Sequence, residues 1–419
     1  MSFLGKKWII KNETKDKGTI EKVLDNRKVA DINDGMIFHD PFLLEDMEKA
    51  VARIKKAIEK QDRIIVFGDY DVDGISGAAI MIITLKKLGA NVSYRLPHRV
   101  NDGYGLSEKF IDEFIEKQIN LVITVDCGIS CVREIQKAKD HNIDVIITDH
   151  HAVPEHLPNA VAILHPRLPN SKYPFKELTG AGMALKLAQA LLGPSNDNEF
   201  FEELIALASL GTVADLGILQ GENRLIVKKG LKNLLNTKSG GLKKLVELAE
   251  LKDQNMIDAY TISFRIAPRI NAAGRIGDPY LALSLLLQDE GSKKVHALGQ
   301  KLEDLNVERQ NKTEKATKEA EAFFTNQTEL PYILVSEHKD WHVGILGLVA
   351  AKLVEKYNRP AIIMQDFGDT LVASARSPRF FNITEALAEL KEYLVSFGGH
   401  AQAAGFSLKK ENLEKFKEA

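Results

Sequence analysis

The sequence predicts an α/β protein: a parallel-sheet domain with helical additions, a long connecting helix, and a second, smaller α/β domain. Three observations carry that prediction. Short runs at residues 63–67 (RIIVF), 121–125 (LVITV) and 144–148 (DVIIT) are apolar on both faces and alternate with helical patterns, as expected of parallel strands covered by helices on both sides. Residues 291–326 contain no proline, are charged throughout, and carry Leu298, Leu302, Leu305 and Val307 near helical spacing, which predicts one long helix. Strand and helix patterns then resume.

In chain order, residues 42–58 read as an amphipathic helix leading into the first strand. That strand stops at Gly68 and is followed by a helix over 77–88, and a helical stretch begins at Ser130 after the second strand. From 180 to 288 the pattern is largely helical, with an apolar helix around 204–210 ending near Asp215 and a loop at 269–275 (RINAAGR). Beyond the long helix, 332–335, 361–364 and 371–375 read as strands and 344–356 and 383–396 as helices, before a glycine-rich loop opening at Gly398-Gly399-His400. The expected division is 1–290, including an N-terminal approach segment, then 291–326, then 327–419.

Composition narrows the class. A chain of 419 residues exceeds what one core supports, and 44% hydrophobic content is enough to fill two. No run approaches a membrane span, and the start MSFLGKK has no apolar signal core, so the expectation is a cytoplasmic protein with no membrane partner. Two cysteines, Cys127 and Cys131, make neither a disulfide framework nor a four-ligand zinc site. The net charge of −2 excludes binding nucleic acid through overall field, but not through a local groove of arginines.

Each of the three apolar runs ends in a polar cluster: GDYDVDG at 68–74, Asp126, and Asp149-His150-His151. Ligands of parallel sheets bind at the carboxyl ends of the strands. Three aspartates within one turn repel one another unless a cation compensates. Asp71 and Asp73, spaced i, i+2, can approach one centre, with Asp126 placed to bridge two ions and His150 and Asp215 completing the shell; Asp69 and His151 are either direct ligands or partners that orient them. Carboxylates with neutral imidazoles suit manganese, magnesium or zinc, and a histidine among several aspartates favours manganese of the three, with magnesium as the second expectation. Two such ions about 3.5–4 Å apart would support in-line displacement at phosphorus without a side-chain nucleophile. The spacing of Gly68, Gly74 and Gly77 does not fit a dinucleotide fingerprint, and no phosphate-binding loop of the NTPase type is present.

GDYDVDG, TVDCG at 124–128 and TDHH at 148–151 resemble the successive motifs of the DHH phosphoesterases. PHRVNDGYGLS at 97–107, GAGMALKLA at 180–188, LGTVADL at 210–216 and RINAAGRIGDP at 269–279 are similar to the RecJ branch. WHVGILGLVAAKL from Trp341, SARS from Ser374 and GGHAQAAGF from Gly398 are similar to the DHH-associated domain. The resemblance implies a 5′ to 3′ exonuclease that releases 5′-mononucleotides from single-stranded DNA in repair and recombination, using two manganese or magnesium ions. It implies metal binding by Asp69, Asp71, Asp73, Asp126, His150, His151 and Asp215, with Asp73, Asp126 and His151 central to catalysis. It also implies that Arg99, Asn271, Arg275, Ser374, Arg376, Gly399 and His400 hold the strand or its 5′ end, mainly in the 327–419 domain. Tyr70 and Tyr104 are candidate base-stacking rings by residue type, and a packed core tyrosine is at least as good a reading of each. A single-strand-binding protein and a RecQ-type helicase are the implied protein partners.

RecJ proteins ordinarily continue into an oligonucleotide-binding barrel, whereas this sequence stops at Ala419. The expectation is therefore intact hydrolysis with low affinity and processivity on long strands. Two other readings stand beside it: a DHH phosphodiesterase of short oligonucleotides or cyclic dinucleotides, and a catalytically silent DNA-binding scaffold, which would be expected to have lost metal ligands.

Overall fold

The computed structural model describes residues 9, 11, 14, 16–27, 36–99, 101–103, 105–193, 198–250, 257–325 and 329–419. The first of two five-stranded sheets contains β1 (Ile64–Gly68), β2 (Val92–Arg95), β3 (Leu121–Val125), β4 (Asp144–Thr148) and β5 (Ala162–Leu164). Their order is β2-β1-β3-β4-β5 and every pairing is parallel. Alternate residues of β1 enter different cores, Ile64 and Val66 one, Ile65 and Phe67 the other. Both faces are thus covered, which is why the strand is apolar throughout. Strand order reverses between β1 and β3, so the loops leaving their carboxyl ends diverge and open a crevice.

The residues beyond three strands are fixed by donating to the next strand. Asp69 N–H bonds Val125 C=O at 3.3 Å, Asp126 N–H bonds Thr148 C=O at 2.9 Å, and Asp149 N–H bonds Leu164 C=O at 3.2 Å. Backbone pairing thereby sets where the first carboxylate of each polar cluster stands.

The second sheet comprises β6 (Leu334–His338), β7 (Ala361–Asp366), β8 (Thr370–Arg376), β9 (Leu394–His400) and β10 (Ala403–Lys409), in the order β6-β7-β8-β10-β9. Only β6 and β7 are parallel. A helix at Lys294–Thr325, on the order of 48 Å long at 1.5 Å per residue, places Leu302 in the first core and Ala316, Ala320 and Phe324 in a core of the second sheet. It is stiffened on its surface by the Glu308–Lys312 and Glu314–Lys318 pairs, at 2.8 and 2.7 Å. Among the described residues, no helix is long and apolar enough to cross a membrane.

Several elements differ from the sequence expectation. The helix after β1 is Val72–Lys87 and begins five residues before 77, because the Asp71 carboxylate caps the N–H groups of Asp73 and Gly74. Residues 269–275 are not a loop but lie in the helix Ala267–Ile276, which continues directly from a π-helical turn at Ile262–Ile266; that wider turn accommodates Pro268, which has no N–H to donate. The expected 383–396 helix stops at Glu389; Leu394–His400 is strand β9, paired with β10, so Gly398-Gly399-His400 is a strand end rather than a loop. The expected 42–58 helix is a single 3₁₀ turn at Pro41–Leu43 followed by a helix at Met47–Glu59, with Asp46 between them at φ 62°.

The helix Gly180–Leu192 presents its N-terminus to Asp73 and is anchored by the fully buried Lys186. That ammonium lies 2.9 Å from Glu222 and donates to His39 C=O at 2.5 Å, while the Tyr173 hydroxyl donates to the other Glu222 oxygen at 2.5 Å. Lys186→Ala would strand a buried carboxylate and is expected to cost about 3–5 kcal/mol, whereas Lys186→Met with Glu222→Leu should cost less. Urea midpoints test this, and a double variant as unstable as the single one would show that the two charges do not act as a pair.

Candidate metal centre and phosphate site

Seven candidate ligands come together at the crevice between β1 and β3. Asp126, His150 and His151 each offer an atom within 4.8 Å of the others, as do Asp73, His150 and Asp215, and again Asp69, Asp71 and Asp126. Asp126 and His150 each belong to two of these groups. The His150 Nε2 lies 3.0 Å from Asp126 Oδ1, 3.7 Å from Asp73 Oδ2 and 3.8 Å from Asp215 Oδ2. Asp126 itself sits at φ 63°, a left-handed conformation that turns its carboxylate back toward the neighbouring loop.

The surroundings have been built to hold charge. Asp73 accepts from Gly180 N–H at 2.6 Å and Ala181 N–H at 3.0 Å, the free donors at a helix start. A Cβ on Gly180 would lie 2.5 Å from that of Asp126, and one on Gly211 would lie 2.3 Å from Asp73 Oδ1, so only glycine lets these two helices approach the carboxylates. Asp149 accepts from Ile129 N–H at 2.9 Å and holds His151 Nδ1 at 2.7 Å. With Nδ1 so engaged, His151 presents Nε2 outward. The Arg167 guanidinium fixes the loop from behind by donating to His150 C=O.

Even so, the cluster is under-compensated. Burial, and then the neighbouring carboxylates, push Asp69 and Asp126 well above the usual carboxyl range and Asp73 up to about 8. Asp215 rises to about 6 from burial and from Asp71. Burial drives His150 down to about 3, leaving a neutral imidazole with a free lone pair. Burial also opposes charge on His151, but its bond to Asp149 outweighs this and raises it. Asp69 Oδ1 is buried with no hydrogen-bond partner among the described residues. Crowded carboxylates, a neutral imidazole and an orphaned buried oxygen fit divalent cations.

Beside this acidic cluster lies a cationic one. The Arg99 guanidinium stacks on the Tyr70 ring at 4.1 Å. Tyr70 is 8% exposed with this face taken, so it is not available as a base-stacking ring; Tyr104 lies outside the described residues. The helix carrying Asn271 and Arg275 reaches the same loop, since a Cβ on Gly274 would lie 2.7 Å from Tyr70 C=O. Arg275 crosses to the second domain region, donating to Gly344 C=O at 3.2 Å. Arg376, at the end of β8, donates to Ser374 Oγ at 3.2 Å and packs beside Gly347. Burial and the crowding of Arg99, Arg309 and Arg376 lower Arg275 to about 9. Gly399, at φ 147°, and the exposed His400 pair with Ala404 and Ala403, which places them one strand from Arg376.

Sequence reading gave no role to Asp149, to the N–H groups of Gly180 and Ala181, or to Arg309. Asp149 stood in plain view within the Asp-His-His run. Arg309 was hidden among the charged residues of a long helix, where one buried face cannot be told from a solvated one by composition.

The chain matches the DHH family, N-terminal domain, over residues 63–212 and the DHHA1 domain over residues 330–419. Fold and site thus define a DHH-type protein with its associated domain. It is 43% identical over 378 residues to the single-stranded-DNA-specific exonuclease RecJ of Bacillus subtilis, and 36% identical over 397 residues to that of Salmonella typhimurium. Each match covers 90% of this chain, with 47% and 68% of the respective relatives. A crystal structure of exonuclease RecJ bound to manganese superposes with a TM-score of 0.78 at 34% identity, covering 90% of this chain and 93% of that one. The chain belongs to the RecJ family, and it spans about half the length of the Bacillus relative.

The raised carboxyl groups give a stability prediction with a definite sign. Between about pH 4, the unfolded value, and about pH 8, the folded value for Asp73, the folded chain binds more protons than the unfolded one. Stability without metal should therefore fall as pH rises through this window. Thermal midpoints in a chelator should drop across it, manganese should raise them most at the alkaline end, and Asp73→Asn should flatten the slope; a midpoint indifferent to pH and metal would contradict the assignment. Asp149→Ala should weaken manganese binding about 10- to 100-fold, as measured by calorimetry.

Proposed function

We propose that this chain hydrolyses single-stranded DNA from the 5′ end to 5′-mononucleotides with two divalent ions, manganese first and magnesium second, in DNA repair and recombination. The observation that carries the proposal is the juxtaposition, across the loop of Asp69, Tyr70 and Asp71, of a carboxylate–imidazole cluster with Arg99, Arg275 and Arg376. Asp69, Asp71, Asp73, Asp126, His150, His151 and Asp215 would hold the ions. When bound, these supply an activated water and charge stabilisation at phosphorus. The chain's own part is orientation: Asp149 fixes the His151 tautomer, Gly180 and Ala181 fix Asp73, and Asp126 stands between two ligand groups.

The arginines supply what the substrate end needs. A guanidinium makes bidentate contacts to phosphate oxygens, and three of them in a half-buried site suit a terminal phosphate better than a single neutralised diester. We assign hydrolysis to residues up to 290, and end binding to Ser374, Arg376, Gly399 and His400 of 327–419 together with Arg99 and Arg275, with the 291–326 segment setting the distance between the two domains. The B. subtilis and S. typhimurium relatives, named single-stranded-DNA-specific, support the substrate class. We extend the proposal to a cytoplasmic setting and to recruitment by a single-strand-binding protein and a RecQ-type helicase, on the motif resemblance alone.

Asp126→Ala should abolish metal-dependent cleavage while leaving binding of a 5′-phosphorylated strand measurable; unchanged cleavage would point to another site or a contaminant. Removing the 5′-phosphate should raise KM about tenfold or more through lost charge-assisted bonds. Competing a long 5′-phosphorylated strand against a dinucleotide separates the exonuclease from a short-oligonucleotide phosphodiesterase. Preference for the dinucleotide would favour the latter, and no hydrolysis of either would favour a silent scaffold.

A further inference from the structure

The helix bearing Asn271 and Arg275 is entered through a π-helical turn, Ile262–Ile266. Such turns displace side chains from the regular helical rows and recur at functional sites. Here the turn leaves two aromatic rings facing solvent. Tyr260 and Phe264, one turn apart, are 60% and 66% exposed and stack on each other with centroids 4.6 Å apart and planes at 30°.

This pair does not stand on a featureless surface. Phe264 lines a cavity of about 250 Å³ together with Leu216, Asn271, Arg275, Arg309 and Leu348. Leu216 immediately follows the candidate ligand Asp215, is held at φ 57° and is 84% exposed, so it forms an apolar lip beside the metal centre. Arg309 contributes a buried Nε with no hydrogen-bond partner among the described residues. No carboxylate lines the cavity, whereas a larger one of about 580 Å³ is lined by Asp278, Asp304 and Glu308 against the single cation Lys301, a balance unfavourable to phosphate. Guanidinium groups inside, apolar lips outside and exposed rings at the edge match one chemistry: an unpaired nucleotide, with an anionic phosphate and an aromatic base.

We propose that Tyr260 and Phe264 form a base-stacking platform for the single strand, reached through the Leu216–Phe264 cavity, with Arg309 contacting a phosphate of the same strand. The proposal deepens the single-strand nuclease reading and rests on it. Ring stacking requires an unstacked, unpaired base, so the platform selects single strands without reading sequence. It also takes over the task that Tyr70 cannot perform, because Arg99 covers that ring.

The test uses the full chain and a 5′-phosphorylated oligothymidylate carrying a fluorescent label, with binding followed by anisotropy in a chelator and cleavage followed separately with manganese. The double variant Tyr260→Leu with Phe264→Leu should bind about 5- to 100-fold more weakly. Its manganese-dependent hydrolysis of a 5′-phosphorylated strand that is abasic throughout, and so carries no ring to stack, should be unchanged. Scanning one abasic position along the strand should weaken wild-type binding at one or two sites and leave the double variant indifferent there, and Phe264→Trp should restore tight binding. Wild-type affinity in the double variant, or a loss equal on intact and abasic strands, would overturn the platform; the latter would mark the rings as a structural or protein-docking feature. A wild-type chain that binds strands with the abasic signature yet cleaves none would sink the nuclease reading while leaving the platform standing.

Discussion

The constraint on which the rest depends is the mutual repulsion of carboxylates held out of water. Asp69, Asp73 and Asp126 are each no more than 2% exposed and lie within one crevice, an arrangement whose burial penalty is several kcal/mol per ion in real proteins. The fold answers it only in part. Helix-start N–H groups at Gly180 and Ala181 stabilise Asp73, and the cap geometry of Asp71 ties that carboxylate to its own helix. What is left over is an unbalanced negative charge and an orphaned oxygen on Asp69. A site so built folds as a receptor for cations, and glycines at 180 and 211 are the condition for packing helices that close to it.

Arg99, Arg275, Arg309 and Arg376 are the mirror image of that cluster: cations crowded and partly buried, with too few anions in contact. The two clusters do not cancel by direct pairing. Arg99 lies on the Tyr70 ring instead of on a carboxylate, and Arg275 spends a donor on the Gly344 carbonyl. Separation of this kind leaves each cluster available for a partner of opposite charge. On the proposed reading, a phosphate chain lying across both would satisfy the arginines directly and would meet the acidic crevice only through the cations held there. The Lys294–Thr325 helix is seated in both cores and so ties the sheet that carries Arg376 to the half that carries the acidic crevice.

The sequence made the sheet around the metal centre legible because its strands are apolar on both faces: β3 and β4 fall on the residues that periodicity gives, and β1 is offset by one. The candidate ligands at these strand ends came into view for the same reason, since polar residues there have nowhere to go but the crevice, whereas Asp215 follows the helix Asn198–Ala214. Periodicity failed where polar chemistry builds a helix. The Val72–Lys87 helix starts among aspartates, and its cap is itself a candidate ligand, so the functional residues hid the element boundary. It failed again at 269–275, where a preceding proline with alanines, a glycine and arginines looks like a loop, whereas a π-helical turn carries the helix through Pro268. Strand β9 was missed because it is an exposed edge, without the alternating burial that marks a half-covered strand. Asp149 illustrates a further limit: spacing names the residues of a site, but only three dimensions show which of them holds another in place.

A net charge of −2 bears on how such a chain would meet DNA. Long-range steering needs a strongly cationic surface, and this molecule lacks one. Arg99, Arg275, Arg309 and Arg376 instead crowd one another beside the metal centre, where a Debye length of about 8 Å at physiological salt limits their pull to what has already arrived. Internal phosphates along a strand carry one charge each and are interchangeable, whereas a terminal phosphate monoester carries close to two. A compact group of arginines at a fixed distance from the acidic crevice therefore discriminates the end from the interior more strongly than a long basic groove could. On the proposed reading, exonucleolytic action follows from where the few arginines stand, and not from how many the chain contains.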